Sequence, residues 1–197
     1  MPEEQTLRIL GVDPGLNHTG FGVIDVKGGK TTFVTAGCIH VPKGELADRL
    51  AFIAEQLRRI IEETKPALAA AEIIFLNRNP KTTLLLGQAR GAALASLAAK
   101  GLKVEEFSAT HIKNAIVGTG RATKPQIQAM VARLLSLSDD LQPDAADALA
   151  CALTAAHSRK MEEIESQATA RKIPVAAGRL RVSSRSAWEK FVEGRNK

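Results

Sequence analysis

The sequence predicts an α/β fold, a mixed five-stranded sheet with helices on both faces. Two observations carry the prediction. Three strand-like segments open the chain with tight turns between them, and two later apolar runs alternate with segments of helical period. Residues 7–13 (LRILGVD) and 20–26 (GFGVIDV) read as strands, and Gly28-Gly29 is a two-residue turn into a third, KTTFVTAGCIHV. These make an antiparallel meander. Leu46, Leu50, Ile53, Leu57, Ile60 and Ile61 then recur at three- and four-residue spacing, which predicts an amphipathic helix over about 44–64, ended by Pro66. ALAAAEIIF at 67–75 is a short apolar run bounded by polar turn residues, so a strand follows that helix through a crossover. Asn79 and Pro80 have the form of an N-cap and first helical residue, opening a helix to about Lys100. KVEEF is the last strand. Thr123 to Gln126 has capping-box form and opens a helix to about Leu137, and Pro143 opens another through His157.

With 197 residues, 45% of them hydrophobic, the chain suits one sizeable core followed by a tail. We expect one α/β domain at residues 1–157 and a basic, flexible C-terminal segment at 158–197. That segment holds ten Lys or Arg against five Glu, so it carries +5 of the formal +6. A basic tail on a near-neutral domain is compatible with nucleic acid as a partner. The longest uncharged runs, such as GAALASLAA at 91–99, fall short of the roughly 18–20 apolar residues that span a bilayer. Met1 is followed by Pro and two Glu, which is no export signal, so a cytoplasmic protein without a membrane partner is expected. Cys38 and Cys151 lie far apart without metal-ligand spacing and read as inert core side chains.

Acids stand out against this background. Asp13 ends an apolar strand and Glu72 sits alone in LAAAEIIF, while Asp144 and Asp147, three residues apart, share one face of an otherwise apolar helix. Each has a plainer reading: a turn residue for Asp13, a strand-end acid for Glu72, a helix-dipole partner for Asp144. Together they imply a common cationic partner, because two unit charges about 5 Å apart repel by roughly 3 kcal/mol at an effective dielectric near 20. Hard oxygen donors without His or Cys clustering favour Mg²⁺, or Mn²⁺ in its place, over zinc. Two such ions would form a clamp for phosphodiester hydrolysis.

Five blocks, ILGVDPGLNHTGFGVI, AAAEIIFLNRN, LGQARGAAL, IKNAIVGTGRATKPQIQAMV and DAADALACALTAAH, resemble in order the RuvC family of Holliday-junction resolvases over roughly residues 7–158. The resemblance implies a ribonuclease H-like fold and a homodimer that nicks four-way DNA junctions with two Mg²⁺ ions per active site, in recombination and repair. It also implies cooperation with the RuvA–RuvB branch-migration complex. Asp13, Glu72, Asp144 and Asp147 match the metal-binding acids. Lys124 matches a basic position tied to catalysis as well as to DNA, and Lys113 another tied to DNA contact. Phe75 matches an aromatic that stacks on a base, and Arg78, Lys81 and Arg121 are candidate backbone contacts. Gly87 and Gly91, one helical turn apart, permit close helix approach either within the chain or at the implied dimer interface. Ile73 departs from the family, which often has Gln there. His18 and His111 are read as non-ligands, and His157 as a helix end. Three competing readings remain: a non-hydrolytic junction binder, another ribonuclease H-like nuclease, and an actin-like ATPase suggested by GVDPG alone.

Overall fold

The computed structural model describes residues 5–73, 79–137 and 141–172, with side chains to residue 166. Strands β1 (Leu7–Asp13), β2 (His18–Lys27) and β3 (Lys30–His40) form the expected meander. Helix α1 (Leu46–Thr64) crosses over to β4 (Leu68–Glu72), and α2 (Pro80–Ala99) to β5 (Lys103–Phe107), both strands pairing in parallel. The sheet order is β3-β2-β1-β4-β5, so the two parallel strands extend the meander on its β1 side. Helices α3 (Ala109–Val117), α4 (Lys124–Leu135) and α5 (Pro143–Lys172) complete the described chain.

Local chemistry explains the boundaries. Asn79 Oδ1 accepts from the amides of Lys81 and Thr82, with Pro80 at the first helical position, as the sequence predicts. Gln126 Oε1 accepts from the Thr123 amide at 2.8 Å, closing the start of α4. Helix α1 ends at Lys65 in the left-handed region, one residue before Pro66. Three elements differ from the reading. Helix α3 was not anticipated, although Ser108 caps it by accepting from the His111 amide and Gly118 ends it at φ 82°. Strand β2 begins two residues early, at His18. Helix α5 runs past His157 to Lys172, and the compact unit that carries the sheet ends within it, at Glu163. Arg159 accordingly pairs with Glu105 at 2.8 Å.

Strand alternation sorts the core into two layers. Leu10, Val12, Val23 and Ala69 pack with Ile53, Leu57, Ala89, Ala93 and Leu97 of α1 and α2. Ile9, Ile24, Leu68 and Ala70 face the other way, onto Ile112, Ile127, Val131 and the apolar run 149–156 of α5. By the same period of two, Asp13 and Glu72 belong to the α5 side.

Candidate active site

Helix α5 lies close on the sheet because glycines line its path. A Cβ on Gly11 would fall 1.9 Å from the Ala148 carbonyl oxygen, and one on Gly20 1.9 Å from that of Asp144. Gly11 pairs with Gly22, and Asp13 with Gly20. Gly20 also pairs with Cys38 on β3. Reading across the strands at this level gives Glu72, Asp13, Gly20 and Cys38, all on the α5 side. The missing side chain at Gly20 leaves room for the start of α5, which sets Asp144 between Asp13 and Cys38. Asp147 follows one turn later, on the same helix face. The structure therefore brings the four predicted acids to one place from three distant segments, at the carboxyl ends of two adjacent parallel strands, where open α/β sheets form their binding crevices.

The electrostatics record the convergence. Burial, reinforced by Asp147, Glu72 and Asp144, pushes the Asp13 carboxyl up to about 7, with Lys124 opposing. Burial and then Asp147 also raise Glu72, against Lys113 and Lys124. Asp147 is raised by burial, against the pull of Lys124, whose Nζ lies 2.6 Å from Asp147 Oδ2. Asp144 Oδ2 accepts from Cys38 Sγ at 3.4 Å. Cys38 is thus no inert core residue. It is half-buried, and burial with its bond to Asp144 pushes the thiol up to about 11. Cys151 is buried as expected.

Glu72, Asp147, Lys113 and Lys124 line one cavity of about 310 Å³ together with Ile112 and Ile127. Lys81, in the first turn of α2, and Arg121, between α3 and α4, are exposed and stand outside that lining. Phe75 and Arg78 lie outside the described residues. Among the described residues, the carboxylates do not form a set of three with ligand atoms all within 4.8 Å of one another; His18, Cys38 and His40 do. Lys124 and Cys38 each hold one of the carboxylates, Asp147 and Asp144.

Sequence reasoning missed two supports. Arg90 Nε donates to the Glu72 carbonyl at 3.2 Å while its other arm pairs with Glu106, tying the end of β4 to α2. Thr19, fully buried, donates to the Gly15 carbonyl at 2.8 Å and so fixes the turn after Asp13. Thr19 follows His18 in the polar turn that broke the apolar pattern, which was its only signal. Among the described residues, a Cβ on Gly87 or Gly91 would meet nothing within 4 Å, so neither serves close packing there.

The crossover junction endodeoxyribonuclease RuvC family matches residues 9–155. A crossover junction endodeoxyribonuclease RuvC of Bordetella avium is 50% identical over 190 residues, covering 96% of this chain and 98% of its own length, so the likeness reaches into the basic C-terminal segment. One from Bordetella parapertussis is 57% identical over 152 residues, 77% of this chain and 84% of its own. The structure of T. thermophilus RuvC in complex with Holliday junction substrate superposes with a TM-score of 0.74 at 30% identity, covering 79% of this chain and 96% of that one. The five-stranded mixed sheet is thus the ribonuclease H-like sheet that the sequence led us to expect, and the chain belongs to the RuvC family of crossover junction endodeoxyribonucleases.

Proposed function

We propose that this nuclease resolves four-way DNA junctions by paired symmetric nicks, with Asp13, Glu72, Asp144 and Asp147 holding two divalent cations, Mg²⁺ or Mn²⁺ in its place. The observation that carries the reading is the carboxyl of Asp13, pushed up to about 7 by burial among three other acids. A group so disfavoured as an anion gains most from a cation, and four oxygen donors match a hard one. When bound, such ions lower the pKa of water and stabilise the leaving oxygen. The chain's own residues do the rest. Asp13 and Glu72 are held rigidly by strand pairing, and α5 fixes Asp144 and Asp147 against them. Lys124, whose Nζ pairs with Asp147, meets negative charge developing on a phosphate, and Lys113 binds the DNA backbone. Lys81 and Arg121 are solvent-facing phosphate contacts, and Phe75 and Arg78 complete the contact set.

The T. thermophilus relative supports the substrate, since its structure contains a Holliday junction. Two cuts at one junction need two sites, which supports a homodimer. Helix α2 supplies a suitable face, with Gly87 and Gly91 open and Leu84 65% exposed one turn earlier. Leu84→Glu is expected to shift the chain toward monomer by at least about tenfold in dissociation constant, read by sedimentation; a burying interface loses about 1.4 kcal/mol per decade. The RuvA–RuvB complex is the partner that would deliver junctions. The nuclease's proposed site of action is the cytoplasm; among the described residues no helix is long and apolar enough to cross a membrane.

Asp13 also sets a pH dependence. Its folded-state value, about 7, exceeds the unfolded value near 3.9, so the stability it contributes is full below about pH 4 and is lost as pH rises through about 7. Chelator-treated protein is expected to lose melting temperature over that window, and Asp13→Asn to flatten the loss. Equal slopes in both proteins would contradict the assignment.

The test of function is cleavage of a synthetic mobile four-way junction. Symmetric nicks that require Mg²⁺ are expected, with an RNA–DNA hybrid duplex left intact. Cleavage of the hybrid and not of the junction would overturn the reading.

A further inference from the structure

Strands β2 and β3 place three metal-ligating side chains together outside the four-acid site. His18 pairs directly with His40 across the strands, and their rings meet edge to face with centroids 5.1 Å apart. Cys38, two residues before His40, points to the same face. One ligand atom from each of the three lies within 4.8 Å of the others. Around a tetrahedral zinc ion, bonds of about 2.0–2.3 Å hold ligand atoms roughly 3.4–3.6 Å apart. The two histidines are exposed, so small rotations close the difference.

The tautomer of His40 suits a metal ligand. His40 Nδ1 lies 3.1 Å from the Cys38 carbonyl oxygen. A carbonyl only accepts, so Nδ1 carries the proton, and Nε2 keeps the lone pair that a metal needs. This is the arrangement by which a backbone carbonyl fixes the tautomer of a ligating histidine. Sulfur and imidazole are also the softer donors, unlike the all-oxygen set next to them.

We propose that His18, Cys38 and His40 form a binding site for a borderline-soft transition-metal ion of the zinc class, and that occupancy slows the nuclease. On binding, the S–H proton of Cys38 passes to solvent and a sulfur–metal bond forms, with the fourth position left to water. The thiol then no longer donates to Asp144 Oδ2, and that carboxylate, 3.4 Å from the sulfur, is drawn toward the new cation and away from the other acids. The slowing rests on the role proposed for Asp144. The binding does not.

The test is a cobalt(II) titration of the full chain in excess Mg²⁺, which occupies the carboxylates, followed by zinc inhibition of nicking. We expect thiolate-to-cobalt charge-transfer absorption saturating at one ion per chain. Cys38→Ser, which keeps a hydroxyl donor toward Asp144, abolishes the band, and His40→Ala weakens binding by more than about tenfold. Asp13→Asn leaves the band intact. Absence of the band, or equal affinity in His18→Ala, His40→Ala and wild type, overturns the site. In the second arm, zinc at the saturating concentration slows wild-type nicking at least about tenfold while His40→Ala keeps its basal rate. Equal inhibition of both proteins overturns the regulatory role. Should no nicking occur even without zinc, the function proposed above fails while the cobalt band still decides the metal site.

Discussion

Asp13→Asn is expected to lower junction nicking in Mg²⁺ by at least about 10³-fold, roughly 4 kcal/mol at 1.36 kcal/mol per decade, while junction affinity changes little. The amide keeps the shape of the carboxyl and its place beside Gly20, so strand pairing survives. What disappears is one negative oxygen donor at the centre of the acid cluster. Because the folded chain disfavours the Asp13 anion, the same substitution is expected to raise the melting temperature of cation-free protein near neutral pH. A residue that only shaped the turn before Pro14 would give the opposite pattern, with lower stability and retained cleavage. Paired gel-shift and cleavage assays separate the two.

Gly20→Ala carries the second large effect. The added methyl would stand 1.9 Å from the Asp144 carbonyl oxygen and 2.5 Å from its carbon, both backbone atoms that cannot rotate away. Helix α5 has to lift off the sheet, costing about 1–3 kcal/mol, or more, in stability. Activity is expected to fall further than stability, by about 10²-fold or more, since a shift near 1 Å in a catalytic group suffices for that. Gly22→Ala meets Leu149 Cγ at 2.5 Å and the Leu149 backbone nitrogen only at 3.0 Å, a looser contact than the 1.9 Å at Gly20, so its cost is smaller. Gly87→Ala meets nothing, and in the interior of α2 it adds up to about 1 kcal/mol of chain stability. Denaturant melts with parallel cleavage assays check the order. A Gly20→Ala protein as active as wild type would mean that Asp144 is not positioned by this contact.

Much of this was legible in the sequence because the signals are local. A lone acid ending an apolar run, as at Asp13, or sitting inside one, as at Glu72, is visible without knowing what lies beside it. The i, i+3 spacing of Asp144 and Asp147 fixes a shared helix face. Asn79-Pro80 and Thr123 mark helix starts by capping chemistry that involves neighbours only. Helix α3 is marked on the same grounds, by Ser108, Ile112, Ile116 and Gly118, but its nine residues are too few to show a helical period. Cys38 was not readable. Its meaning depends on strand register, which aligns residues 18, 20, 38 and 40 across a turn at Gly28-Gly29, and on a helix arriving from more than 100 residues away. Gly11, Gly20 and Gly22 show as strand glycines, a sign of close backbone approach, but only the structure names α5 as what approaches. Similarly, the spacing of Gly87 and Gly91 left packing within the chain or at a dimer interface open, and among the described residues nothing packs closely on either.

The most direct measurement of the central claim is anomalous scattering from crystals of the chain loaded with Mn²⁺. The account expects manganese peaks bridging the carboxylates of Asp13, Glu72, Asp144 and Asp147, at coordination distances close to the 2.0–2.1 Å typical of Mg²⁺. Peaks that avoid Asp13, or carboxylates that bind ions separately without sharing one, would contradict it.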